Sequence, residues 1–561
     1  MKRRSGGRRR FLQGALGLFS GGAAAAGLPR FPERGGSLES DSGPGLLERL
    51  FPGPGYSGGF VGQQFDRGHL LRDLQGFPAP AETRRTSVAI VGGGIAGLAA
   101  ARALQRAGID DYRIFELEDE PGGNSRGGEV AGFACPWGAH YLPAPGPYAG
   151  EVAELLDEYR LRRVTQGRVE YEELHLCHSP QERLYIAGGW QEGLLPLRGQ
   201  DAATLAEYRR FAELVRAATR PQAFTIPTAA CRWDEALAAL DAQSFAAWLD
   251  QQGLRRPALR WYLDYCCRDD YGAGLAGVSA WAGLHYFASR HGFDAPGEEG
   301  EREELLTWPE GNAWLARRLA APHRDRTLNG CLALRVEESK DQVYIDVLEL
   351  PARRLVRWAA QRAIQAVPLF VAARLLADPP AALVEAARRQ PHAPWLVANL
   401  HIDQPLAEYR GNAPLSWDNV LYSSRALGYV DAMHQSTLPY ADATVLTWYT
   451  ALGDDPGGGR RALLQRSWKD WCELILADLS AAHPDLRRKL RQVGIMRYGH
   501  AMAIPAPGVR GSAWLAALRQ PQGRVAFAHS DLSAYSVFEE ALHWGLAAGD
   551  GTARALHRSS A

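Results

Sequence analysis

The sequence predicts an α/β fold: a Rossmann-type dinucleotide-binding domain split by an inserted α+β domain. Three observations carry this. Residues 88–104, VAIVGGGIAGLAAARAL, read as an apolar strand, a glycine turn and an Ala/Leu-rich helix. Residues 112–116, YRIFE, read as the next strand and end on a carboxylate. Residues 524–548 supply one more strand and a final helix at the far end of the chain, with helix-like and strand-like stretches between.

Taken in order, the chain opens on a basic segment, Lys2, Arg3, Arg4, Arg8, Arg9 and Arg10, followed by Phe11-Leu12, a weakly apolar run and the Ala23–Ala26 cluster. Paired arginines ahead of such a run are a twin-arginine export signal with an A-x-A-like cleavage site. A disordered basic tail or a core helix is the plainer alternative, and the run is shorter than the roughly 20 residues that span a bilayer. We assign 1–29 to the signal, which makes the twin-arginine translocase a partner and the periplasm the destination. Residues 30–85, rich in Pro, Gly and Arg, read as a linker that wraps the body through 58–62 and 67–74. The first domain takes 86–150, 301–390 and 495–556. The inserted domain takes 151–300 and 391–494. Within these, 148–161 and 461–492 read as helical, 343–376 as strands and a helix, and 393–450 as alternating strands.

A chain of 561 residues, 46% hydrophobic and 22% charged, builds a sizeable core in two domains. Formal charge is zero overall, but removing the first 26 residues takes away six basic groups and no acids, leaving about −6. That excludes a basic field for nucleic acid. The seven cysteines lack ligand spacing, so no metal site is expected. Cys266-Cys267 are read as buried thiols, with a vicinal bridge as the alternative. No second membrane span is visible.

The chemistry starts at Gly92, Gly94 and Gly97. They allow the tight turn, the approach of a pyrophosphate and close helix–strand packing, while the helix from Ile95 turns its N-terminal amides to the phosphates. Glu116, some 20 residues on, is placed to accept the ribose hydroxyls. The continuation ELEDEPGGNSRGG brings a second pair, Gly122-Gly123, then Asn124, Ser125 and Arg126. This resembles the FAD-binding signature of the flavin amine oxidase and phytoene desaturase superfamily. GRVAFAHSDLSAYSVFEEALHWGLAAG, 523–549, resembles that superfamily's last strand, acidic turn and closing helix.

The resemblance implies noncovalent FAD, an amine-oxidase-like two-domain architecture, and a set of positions. Gly122, Gly123, Asn124 and Arg126 would lie by the diphosphate. The backbone near Ala333 would border the adenine, Asp531 would sit beside the pyrophosphate and ribityl chain, and the helix opening near Val537 would face the flavin N1–C2=O edge. WPEGNAWLARRL (308–319) and RAIQAVP (362–368) resemble further family segments. Two departures stand out. The family's lysine near flavin N5 has no counterpart in APWLVANLHI (393–402), and the aromatic position of the terminal motif is Val537, followed by Phe538, Glu539 and Glu540.

Without that lysine, candidate catalytic groups are His140 in PWGAHYLP and Tyr498 and His500 in RYGHAMAIPAPG. Each has a structural alternative, as a packed loop histidine or a turn. The helical stripe Trp261, Tyr265 and Arg268, with Asp269 and Asp270 beside it, reads as core with a solvated end, or as a wall for a cationic substrate. Three functions are compatible: hydride transfer from an amine to flavin, desaturation or isomerisation of an apolar substrate, and a non-catalytic flavoprotein of an envelope assembly. A tightly held flavin suits export, because it travels with the folded protein and is reoxidised outside by oxygen, a quinone or a redox protein.

Overall fold

The dinucleotide strand Glu82–Val91 sits inside a seven-stranded sheet. It pairs in parallel with Tyr112–Phe115 on one side and Arg354–Gln365 on the other. Thr327–Leu328 extends the first side, while Arg354–Gln365 also takes Val525–Phe527 in parallel and leads through Val343–Glu349 to Cys331–Glu338 in antiparallel fashion. Val88, Ala89, Ile90 and Val91 are all buried, as expected of a parallel strand covered on both faces. The computed structural model describes residues 55–560, apart from 63, 75, 291, 299–303, 408–412, 437–441 and 522. The arginine pair, the signal and the first part of the wrapping segment lie outside the described residues.

Helix Ile95–Arg106 covers this sheet, and the closing helix Phe538–Ser560 lies against it. Small residues set their spacing: a β-carbon at Gly545 would stand 2.2 Å from the Ala96 carbonyl oxygen, and one at Gly549 2.5 Å from that of Ala100. Leu98, Leu104, Leu542 and Leu546 fill the interface.

A second, eight-stranded sheet runs Ser57–Phe60, Leu490–Ala503, His392–Ile402, Thr444–Ala451, Tyr429–Asp431, Asp418–Leu421, Glu182–Ile186 and Gly189–Glu192. Helices Ala202–Ala218, Pro257–Tyr271 and Ala280–Ala288 share its core through Phe211, Tyr265, Trp281, Trp395 and Tyr449. Here the structure redraws several sequence boundaries. Leu490–Ala503 is one strand of the second sheet, so the boundary drawn at 495 falls inside it. Helix Gly150–Glu158 buries Val152, Leu155 and Leu156 in the dinucleotide core, not in the insert assigned from 151. The Glu182–Glu192 hairpin stands where helices and irregular pieces were expected. The wrapping segment contributes a strand, Ser57–Phe60, paired in parallel with 492–495. Strand pairing between residues hundreds of positions apart decides all of these, and local periodicity does not report it. All seven cysteines are free, so Cys266 and Cys267 are buried thiols. Among the described residues no helix is long and apolar enough to cross a membrane.

Candidate active site

The turn after Val91 shows why its glycines are needed. Gly92 has φ +100°, and a β-carbon at Gly97 would fall 1.9 Å from the Gly92 carbonyl oxygen, so the helix packs against the turn with no room for a side chain. At Gly94 a β-carbon would find only the Gly123 Cα, at 3.8 Å: the space above it is open. Gly94 bridges to Gly122, whose amide donates to the Gly93 carbonyl at 2.9 Å, so the two glycine turns stand against each other as one floor.

Gly92, Gly94, Gly122, Gly123 and Glu116 line one continuous groove. Glu116 accepts hydrogen bonds from the amides of Gly93 (2.8 Å) and Glu118 (2.9 Å), yet burial still pushes its carboxyl above the usual range. A buried carboxylate of this kind calls for further donors, which adenosine ribose hydroxyls supply. Ala333 lines the same groove, on a strand whose Cys331 amide donates to the Glu116 carbonyl at 2.7 Å. Asp531, Val537 and Asn124 line it further along. The residues present therefore fit FAD along the expected path. Val537 precedes the closing helix, its carbonyl accepting from the Ala541 amide. Gly97 and Arg126 do not line the groove. Arg126 is buried beneath the glycine pair, its Nε donating to the Gly123 carbonyl at 3.3 Å and its Nη1 3.8 Å from Glu118, so it holds the turn. The Asp531 carboxylate accepts from the Leu369 amide (2.9 Å) and is held by His392 Nε2 (3.1 Å). Burial alone would raise its carboxyl, but His392 and His529 beside it hold it well below the usual range.

Beyond this groove lies a second cavity, and the two share Asn124, Ala139, Ala501, Ser536, Val537 and Phe538. With FAD along the groove as the family resemblance implies, its flavin end would lie at this shared wall. His140 and Tyr498 line the second cavity, while His500 lines only the groove. The separation comes from a bulge. Ala393 pairs with Met502 and Trp395 with Tyr498, so the three residues 499–501 stand opposite the single Pro394, and such a bulge re-aims side chains. His500 packs against Phe370 with ring centroids 4.6 Å apart and lies 6.2 Å from His392. Asn124 Nδ2 donates to the Ala501 carbonyl at 2.6 Å and ties the glycine turn to the bulge.

His140 stacks on Tyr449 with centroids 4.5 Å apart, and burial pushes its imidazole down to about 3. It is neutral near pH 7, which suits positioning a substrate rather than proton exchange at neutrality. Burial pushes the His500 imidazole to about 4 and the Tyr498 hydroxyl up to about 12. Tyr498 is 5% exposed and its hydroxyl has no partner among the described residues.

The cavity holds charged groups that motif reasoning left aside or read only as an option. Asp269, Asp270, Arg290 and Glu539 line it, with Asn312, Trp395 and Val397. Burial lifts Asp269 and Glu539 to about 7, with neighbouring Asp270 adding to each. Asp270 binds Arg290 (3.1 Å) and the Tyr535 hydroxyl (2.7 Å). The signal for Glu539 was its place two residues after Val537. Glu540 faces elsewhere, its carboxylate binding the Thr228 amide and the Ser533 hydroxyl. Strand His392–Ile402, which lacks the family lysine, brings Trp395 and Val397 to the cavity instead.

A model of the flavin containing amine oxidoreductase family matches residues 95–550. Among curated proteins, tryptophan 2-monooxygenase of Allorhizobium ampelinum is 48% identical over 76 residues, 12% of this chain and 10% of that protein. The chain thus matches about a tenth of that relative's length. Among solved structures, cyclohexylamine oxidase from Brevibacterium oxydans IH-35A superimposes with a TM-score of 0.61 at 19% identity, covering 84% of this chain and 100% of that one. A CLA-producing fatty acid isomerase from P. acnes gives 0.59 at 15% identity, covering 82% and 97%. At such identities these two likenesses establish the fold. With the family match running from the dinucleotide helix into the closing helix, the chain belongs to the flavin containing amine oxidoreductase family and is an FAD-dependent oxidoreductase.

Proposed function

We propose that this chain is an exported enzyme that holds FAD noncovalently and oxidises an amine. The observation that carries the amine reading is the acidic cavity behind the flavin end of the groove. Bound flavin supplies the acceptor for a hydride from substrate carbon. The residues do the rest: His140, Tyr449 and Trp395 hem the substrate in, and Asp269 and Glu539 favour a cation and would take the ammonium proton that must leave nitrogen before hydride leaves carbon. Noncovalent binding is supported by the cysteines, since only Cys331 lines the groove, and it does so beside Glu116 at the adenosine end. Export rests on the Arg8-Arg9 motif, with the translocase as a partner during transit. Oxygen, a quinone or a redox protein is the electron acceptor outside.

A second reading, isomerisation or desaturation of an apolar chain, draws on Val397, Met502 and Phe538 in the cavity wall and on the fold shared with the fatty acid isomerase. Ionisable carboxylates in the same wall count against it, because burying them against an alkyl chain is costly. Anaerobic mixing of the yellow holoprotein with primary amines and with unsaturated fatty acids separates the two. Bleaching of the flavin by amines supports the first reading. Rearranged fatty acid with no net bleaching supports the second.

A further inference from the structure

Among the described residues the cavity holds more acidic groups than its own cation answers. Arg290, the one Arg or Lys in its lining among the described residues, is engaged by Asp270 through contacts of 3.1 and 3.3 Å and by the Tyr535 hydroxyl at 3.0 Å, with the Tyr286 ring 5.0 Å away. Asp269 and Glu539 remain. Glu539 is 6% exposed and stands in the first turn of the closing helix. Among the described residues no other side chain hydrogen-bonds or ion-pairs with its carboxylate.

A second observation is independent of the acids. Asn312 is 1% exposed, and its Nδ2 donates to the Tyr141 carbonyl at 2.9 Å. That orientation leaves Oδ1 buried with no donor, a deficit of about 1–3 kcal/mol for such a group. Asn312 lines the same cavity. Glu539 and Asn312 Oδ1 therefore lack a side-chain cation and an N–H donor of their own among the described residues. An alkylammonium brings one charge and three donors. An α-amino acid brings the same ammonium together with a carboxylate, and that carboxylate meets Asp269 and Glu539 while Arg290 is held by Asp270.

We infer that Glu539 is a specificity-determining residue that anchors the ammonium group of a simple amine, with Asn312 Oδ1 as a further acceptor, and that the acidic lining turns away the corresponding α-amino acid. This rests on the amine-oxidising reading and adds which amines are taken.

The test uses flavin-loaded protein. In wild type, calorimetry should show benzyltrimethylammonium, a permanent cation, binding at least about tenfold tighter than its neutral isostere neopentylbenzene, the weight of one charged contact. Glu539→Gln should lose about that factor with flavin content unchanged, and Glu539→Asp should recover part of it. Anaerobic bleaching should favour tryptamine over tryptophan and phenethylamine over phenylalanine by about 100-fold in kcat/KM, roughly 2.7 kcal/mol of discrimination. Equal binding of cation and isostere in wild type overturns the anchor even if the Gln variant fails to fold. Amines that bleach equally well in wild type and Glu539→Gln at unchanged KM remove the role of Glu539 and leave the amine reading standing. Preference for the amino acids removes the exclusion. No bleaching by either class overturns the amine reading, and the anchor with it.

Discussion

Gly94 and Gly97 lie three residues apart, yet the structure predicts opposite failures when each gains a side chain. At Gly97 a β-carbon stands 1.9 Å from the Gly92 carbonyl oxygen and 3.0 Å from its carbon. Ordinary contact needs about 1.5 Å more, so helix and turn must separate. Gly97→Ala should therefore destabilise the flavin-free protein by at least the ~1–3 kcal/mol of an overpacked interior. At Gly94 the nearest atom to a β-carbon is 3.8 Å away. Gly94→Trp should leave the flavin-free melting temperature almost unchanged while its indole fills the pyrophosphate's place and abolishes flavin content. The assay is paired: thermal melting of flavin-stripped protein, then visible absorbance after reloading with FAD. A Gly94→Trp protein that reloads to the wild-type level, or a Gly97→Ala protein that melts with wild type, would refute the geometry of the turn.

Three further outcomes follow from the same structure. Replacing Arg8 and Arg9 by Lys should strand folded, yellow protein in the cytoplasm, since the export route reads the arginine pair itself, and fractionation with flavin fluorescence checks it. His140→Ala should keep its flavin and slow anaerobic reduction by roughly 100-fold, the cost of misplacing a substrate by about 1 Å, whereas His500→Ala, in the groove, should weaken FAD binding and leave reduction of the remaining holoprotein nearly unchanged. Burial lifts Glu539 to about 7, so the native state keeps a proton that the unfolded chain releases near its usual carboxylate range, and stability falls as pH rises through that window. With Asp270, Arg290 and Glu540 as its charged neighbours, Glu539→Gln should gain melting temperature relative to wild type between pH 5 and pH 8, and a difference flat in pH would show that Glu539 is ionised throughout.

The parts of the site legible in the sequence are the parts encoded locally. The glycine turn, the helix start at Ile95 and Glu116 at the next strand end lie within one short stretch, where backbone conformation and strand spacing determine what each residue faces. Val537 was legible for the same reason, as the residue opening a helix. The cavity was not, because Asp269, Asn312, Trp395, Tyr449 and Glu539 come from five distant elements. Tyr498 and His500 illustrate the limit. Their spacing of two puts them on one strand face, yet the bulge over 499–501 sends the first to the cavity and the second to the groove. Arg126 shows the converse, since a basic residue after a glycine pair suggests a phosphate contact, but its carbon stem packs under Gly122 and its head is held by a carbonyl.

If the acidic cavity serves the flavin end of the groove, closing the cavity stops the amine and spares the cofactor. Val397 is fully buried and lines the cavity but not the groove. Val397→Phe fills the cavity while leaving the cofactor's path clear. Stopped-flow mixing of anaerobic Val397→Phe holoprotein with a primary amine that bleaches wild type should show normal flavin content, normal reduction by dithionite and little or no bleaching by the amine. Bleaching by the amine at the wild-type rate would mean that substrate reaches the flavin by another route and that the acidic cavity does not serve it.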